Sequence, residues 1–172
     1  MVYNAIAESW VIDNMVTEGW PSPRATAAAI GGLVCALVAS PALLAPEYLY
    51  FFDSVNFALA LEDFDPGLHQ PQPPGYALFV LFTRLLNLVM ASARAILITA
   101  GSIASLAAVG LVWMLGRNLV SFLAANRAAL LMLFHPTFWF GALTNQVRVF
   151  LAAGSAALML AAWRSTRQED PR

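Results

Sequence analysis

AILITAGSIASLAAVGLVWMLG, residues 95–116, runs for 22 residues without one charged side chain. As a helix rising ~1.5 Å per residue it is about 33 Å long, enough to cross a hydrocarbon core ~30 Å thick. The rest of the chain has the same character. Of 172 residues 60% are hydrophobic and 11% are charged, where a soluble domain carries about a quarter charged. The expected fold class is therefore all-α: a polytopic helical membrane protein with 4–5 transmembrane helices and an outer loop bearing a short interfacial helix.

Residues 25–46 form a first candidate span, and 119–134 and 147–163 are shorter apolar runs. The stretch 76–90 contains Arg84 and is roughly 22 Å long as a helix, so it reads either as a tilted span or as a helix lying at the interface. Sidedness separates the two, because cytoplasmic loops collect arginine and lysine. If 76–90 crosses, Arg24 and Arg94 are cytoplasmic while Arg117, Arg164, Arg167 and Arg172 fall outside. If it does not cross, Arg24, Arg117, Arg164, Arg167 and Arg172 are cytoplasmic and only Arg94 is outside. The second topology is preferred, and it places 135–146 as a loop on the outer side. Residues 1–24 carry Glu8, Asp13 and Glu18 before any long apolar run, which does not match a cleaved signal. They read as an interfacial segment with Ile6, Trp10 and Trp20 at headgroup level. The chain divides into this segment (1–24), a transmembrane domain (25–163, outer loop 47–75) and a polar tail (164–172).

Net charge is −1, so the clustered basic face that a nucleic-acid binder needs is missing. All nine basic residues are arginine, and Cys35 is the lone cysteine; neither a disulfide framework nor a cysteine metal site is expected. No Gly-rich phosphate loop, GxSxG elbow or HExxH helix occurs, so any reaction would draw on a donor already in the membrane.

Both topologies put "FFDSVNFALALEDFDPGLHQPQPPGY", residues 51–76, outside. Asp53 or Ser54 is expected as the N-cap of a helix of about ten residues. Phe57, Leu61 and Phe64 form its lipid-facing stripe, with Asn56 and Glu62 off that stripe. "DPG" at 65–67 ends the helix, and "QPQPPGY" is expected to lead out as an extended, stiff segment. Asp53 reads either as a solvated N-cap or as a base that takes a proton from a hydroxyl. Glu62, Asp63 and Asp65 read as a wet loop, or with His69 as ligands of a divalent cation. Arg84 either snorkels to the headgroups or clamps a phosphate. Arg127 is assigned to the cytoplasmic edge, and Arg148 to the outer side near the acidic loop.

A first span, an outer loop with an early Asp, and "HQPQPPGYALFVLFTRLL" at 69–86 together resemble the start of the GT-C membrane glycosyltransferases. That superfamily includes the protein O-mannosyltransferases and the lipid A aminoarabinose transferases. "LVWMLGRNLVSFLAANRAALLMLFHPTFWFGALTNQVRVFLAAGSAALML" at 111–160 is similar to their "LGR…AAL…P.FW" region, and the likeness extends over residues 25–163. The resemblance implies transfer of a sugar from a polyprenyl-phosphate donor to an acceptor hydroxyl, with inversion, on the outer face of a bacterial inner membrane. It implies Asp53 as catalytic base and His69, Pro74, Tyr76, Arg84 and Arg148 as substrate-binding residues, with no metal ligand assigned. Many members carry a second acidic residue after "P.FW", where this chain has Asn145, Gln146 and Arg148. Family chains are also longer, so this one reads as a fragment, an early-terminated relative or half of a split protein that works with a further membrane subunit. The alternative function is a non-catalytic membrane subunit or scaffold that binds lipid-linked sugar or a partner membrane protein. A small transporter is disfavoured because the spans carry no acidic residue.

Overall fold

The computed structural model describes residues 31–32, 44–144 and 146–169. The chain divides into two units, residues 1–35 and 36–172. In the first, Gly31 and Gly32 are helical and exposed. The interfacial segment 1–24, most of the first candidate span, Arg24, Cys35, Asn145 and Arg172 lie outside the described residues. The rest concerns the second unit, in which every element among the described residues is helical.

Among the described residues two helices are long and apolar enough to cross a membrane. The first, α3 (Ala93–Leu119), contains the opening stretch and has Ser92 as its N-cap, whose Oγ accepts from the Ala95 N–H. The second is α6 (Gln146–Glu169). Between them come α4 (Phe122–Phe134), capped by Ser121, and α5 (Pro136–Thr144). Ahead of them come α1 (Phe52–Leu59), a 3-10 turn at Pro66–Leu68, and α2 (Ala77–Asn87). At ~1.5 Å per residue α2 is about 16 Å long and α4 about 20 Å, and neither reaches across a ~30 Å core by itself.

The expected loop at 135–146 is mostly helical. Pro136 has no N–H to give the Met132 carbonyl, and it drives the preceding residue out of helical geometry. His135 is accordingly extended (φ −73, ψ 117). Its N–H donates to the Met132 carbonyl, and its own carbonyl accepts from Phe138 and Trp139. The result is two helices in tandem, α4 and α5, rather than one span followed by a loop.

α3 is the central helix, packed on α1, α2, α4, α5 and α6. It runs parallel to α6, since Leu97 and Ala100 cluster with Val147, Ala104 with Val149, and Leu115 with Ala156 and Leu160. α4 and α5 return along it, and two glycines set the approach. A Cβ at Gly116 would lie 2.8 Å from the Ala125 Cα, and one at Gly101 would run into the Ala142 carbonyl. Small residues at such crossings let backbones touch where lipid provides no hydrophobic drive. Large apolar side chains point outward along the bundle, among them Leu78, Leu131, Leu158 and Met159, an arrangement suited to an apolar solvent.

Charges segregate along this bundle. At the end holding α1, α2 and the starts of α3 and α6 lie Glu47, Asp53, Glu62, Asp63 and Asp65, with Arg84, Arg94 and Arg148. At the other end lie Arg117, Arg127, Arg164 and Arg167, with Glu169.

The Asp53 turn and the α5 cavity

α1 starts one residue before Asp53. Phe51 is the N-cap and makes no side-chain capping bond, so Asp53 sits in the first turn and neither it nor Ser54 is the cap. Its carboxylate is half-buried and has no hydrogen-bond or ion-pair partner among the described residues. Position in the first turn still favours a negative charge, through the unpaired N–H groups there.

Ser54 goes inward. It is 2% exposed, and its Oγ donates to the Thr144 carbonyl at 2.7 Å and lies 3.4 Å from Gln146 Oε1. Gln146, equally buried, donates from Nε2 to the Leu143 carbonyl at 2.8 Å. Two carbonyls at the C-terminus of α5 are thus satisfied by side chains, and the Asp53 turn is pinned to the junction between α5 and α6. Asn56, expected off the lipid-facing stripe, is also buried, and its Nδ2 finds no partner among the described residues. Phe57 belongs to the protein core rather than to a lipid-facing stripe. It meets Tyr76 and Phe79 edge-on, with centroids 5.7 and 4.9 Å away, and Phe79 in turn meets Phe150. Of that stripe only Phe64 is exposed.

Arg84 is half-buried, and two of its N–H groups are taken. Nε donates to the Ala60 carbonyl at 3.2 Å and Nη2 to the Glu62 carbonyl at 3.4 Å, closing the C-terminus of α1. Arg94 does the same upstream, donating to Pro46 at 2.7 Å and Ala45 at 3.3 Å. The acidic segment is therefore fastened at both ends by guanidinium groups on backbone oxygens.

Beyond α1 the chain turns rather than extends. Asp65 caps the 3-10 turn by accepting from Gly67 and Leu68, and it pairs with Gln70 through two backbone bonds. The Gln70–Pro71 and Pro73–Pro74 bonds are cis, and the Gly75 N–H donates to the Gln72 carbonyl. Gly75 (φ 90) and Tyr76 (φ 44) lie in the left-handed region, and Tyr76 is the N-cap of α2. Pro74 and His69 are exposed. His69 does not gather with the acids: among the described residues no three His, Cys, Asp or Glu side chains come together to hold an ion.

A cavity of ≈ 600 Å³ opens beside α5. Phe51, Phe138 and Phe140 supply apolar wall, and His135, Thr137, Thr144 and Arg148 the polar groups. The Arg148 guanidinium is exposed and has no partner among the described residues. Phe51 joins the two features, since it lines the cavity and caps the helix that carries Asp53. Of the residues singled out in the sequence, the structure brings the turn of Asp53 near Arg148. His69 and Pro74 stay on the exposed proline turn. The sequence offers Ser54 only as a cap and Gln146 only as an uncharged residue where the family has an acid, and it does not mark His135 or Thr137; the signal available for their inward roles is the interruption of apolar runs by "DSVN", "FHPT" and "LTNQ".

Comparison with known proteins gives no match: no family model, no curated protein and no solved structure is similar to this chain.

Proposed function

We propose that this chain is a GT-C-type membrane glycosyltransferase, or part of one, acting on a polyprenyl-phosphate-linked sugar at the outer face of a bacterial inner membrane. The proposed topology has four crossings: the first span, α3, the jointed α4 and α5, and α6, with α2 lying at the interface. The arginine-rich end faces the cytoplasm by the positive-inside rule.

The observation that carries the reading is the pinning of the Asp53 turn, through Ser54, to the junction that borders the cavity holding Arg148. Asp53 takes the proton of an acceptor hydroxyl, and the freed oxygen attacks the anomeric carbon from the side opposite the phosphate. The bond from that carbon to the phosphate oxygen breaks, the configuration inverts, and polyprenyl phosphate leaves. Arg148, free to form a bidentate pair, offsets the negative charge that grows on the leaving phosphate. The aromatic wall suits the first isoprene units of the lipid, and Arg84 holds α1 in place.

Asp53→Asn keeps the shape and removes the basicity. It should abolish transfer from a polyprenyl-phosphate sugar to acceptor while leaving expression and lipid binding intact; transfer at the wild-type rate would rule out Asp53 as base. A second reading is a non-catalytic subunit that binds the same lipid. It is favoured by the cavity lining, which offers a cation and aromatics but no carboxylate. In that case purified protein binds polyprenyl phosphate, turns nothing over, and tolerates Asp53→Asn.

A further inference from the structure

The end of the bundle opposite the cavity carries the same construction twice. On α3 the Arg117 Cζ lies 5.4 Å from the centroid of the Trp113 ring, and on α6 the Arg167 Cζ lies 5.3 Å from that of Trp163. In each pair the arginine follows the tryptophan by four residues, one helical turn, so the guanidinium rests on the indole. The two helices are parallel, which puts both pairs at one end. Each indole is itself held. Trp113 donates from Nε1 to Asn126 Oδ1 at 2.9 Å, with Asn126 4% exposed, and Trp163 packs on Leu115 and Leu160.

Both guanidinium groups are exposed and find no hydrogen-bond or ion-pair partner among the described residues. The cation–π contact holds each guanidinium beside its ring, and an exposed guanidinium fork can donate to a phosphate bidentately. Half-buried indoles are favoured at the boundary between lipid tails and headgroups. Both arginines also stand in the last turns of long helices, where the exposed carbonyls favour cations.

We propose that Arg117 and Arg167, each braced on its tryptophan, bind the phosphate groups of anionic phospholipids in the leaflet at this end of the bundle. Charge complementarity selects the occupant, since Arg117, Arg127, Arg164 and Arg167 lie at this end of the bundle and a negatively charged leaflet attracts such a collar. The proposal rests on the membrane reading of α3 and α6 and is independent of sugar transfer.

The test compares protein in nanodiscs of phosphatidylcholine alone with protein in nanodiscs containing phosphatidylglycerol, read by the thermal unfolding midpoint. The wild type should unfold at a higher midpoint with phosphatidylglycerol, and R117Q/R167Q should lose that rise while matching wild type in phosphatidylcholine. R117K/R167K keeps the charge but loses the fork, and should lose most of the rise; full retention would mean diffuse leaflet charge rather than braced guanidinium groups, and would overturn the proposal. Millimolar inorganic phosphate should not reproduce the rise, and if it did, a lipid would not be the ligand. Equal midpoints in the two nanodiscs would overturn this proposal alone, whereas a protein that stays folded and soluble without detergent or lipid would overturn the membrane reading with it.

Discussion

Ser54 and Thr144 stand ninety residues apart in the chain and are joined by a 2.7 Å hydrogen bond from a hydroxyl that is almost wholly buried. That bond fixes where the acidic turn sits relative to the cavity. A buried carbonyl deprived of its donor costs about 1–3 kcal/mol. Ser54→Ala should lower unfolding stability in detergent by an amount in that range and reduce transfer with it. Stability unchanged from wild type would mean that the bond holds nothing together.

Gly101 and Gly110 lie on the same helix in opposite circumstances. A Cβ at Gly101 meets the Ala142 carbonyl, whereas one at Gly110 meets nothing within 4 Å. Overpacking a close contact costs roughly 1–3 kcal/mol or more. Gly101→Ala should therefore depress the unfolding midpoint, and Gly110→Ala should leave it level or raise it. Equal behaviour of the two variants would remove the close crossing of α3 and α5 from the fold.

Arg84 closes the end of α1 by donating to the Ala60 and Glu62 carbonyls. Arg84→Gln should loosen that end by about 1–2 kcal/mol, seen as faster amide hydrogen exchange at residues 60–63 with little change in α3. Arg84→Lys keeps the charge without the fork and should fall between the two. Unaltered exchange in both would leave Arg84 available for the phosphate role that its sequence position suggested.

Trp113 and Asn126 share one hydrogen bond across the crossing of α3 and α4. A double-mutant cycle with Trp113→Phe and Asn126→Ala isolates it. A coupling of about 0.5–1.5 kcal/mol is expected, and additive losses would show that each residue acts through its own packing.

Arg148 is the cation of the cavity, and on the proposed reaction it meets the donor phosphate. Arg148→Ala should raise the donor concentration needed for half-maximal transfer and slow turnover, each by about tenfold or more, because charge-assisted bonds to phosphate strengthen as the leaving group develops charge. Donor kinetics like those of wild type would move the phosphate elsewhere.

The long elements were legible because lipid-length apolar runs carry their own ruler: 95–116 became the middle of α3, and 147–163 the body of α6. The amphipathic stretch at 76–90 likewise became the shorter α2. What escaped were features set by contact between distant segments. Ser54 and Gln146 look like ordinary polar residues until α1 is laid against the end of α5. Asn56 lies off the apolar stripe only if Phe57 and Leu61 face lipid, yet α1 turns Ser54, Asn56 and Phe57 into the protein and leaves Phe52, Val55 and Leu59 exposed. The proline run is legible as stiffness because each ring fixes φ, but φ alone says nothing about the direction in which successive turns add. Pro136 stands in plain sight within "FHPTFW", and its missing N–H ends α4 at the close of the expected run 119–134 while a helix, α5, follows where a loop is expected.

The two glycine crossings divide the molecule into parts of unequal freedom. Where backbone lies against backbone, at Gly101 and Gly116, α3 cannot slide past α4 or α5 without a steric collision. The acidic segment is held differently, by the swivelling side chains of Arg84, Arg94 and Ser54, which can release and re-form. Any opening that admits a bulky lipid would then come from a swing of α1 on these tethers while the α3–α6 frame stays rigid, and spin labels on α1 and α3 would report it as a broadened distance confined to pairs that include α1.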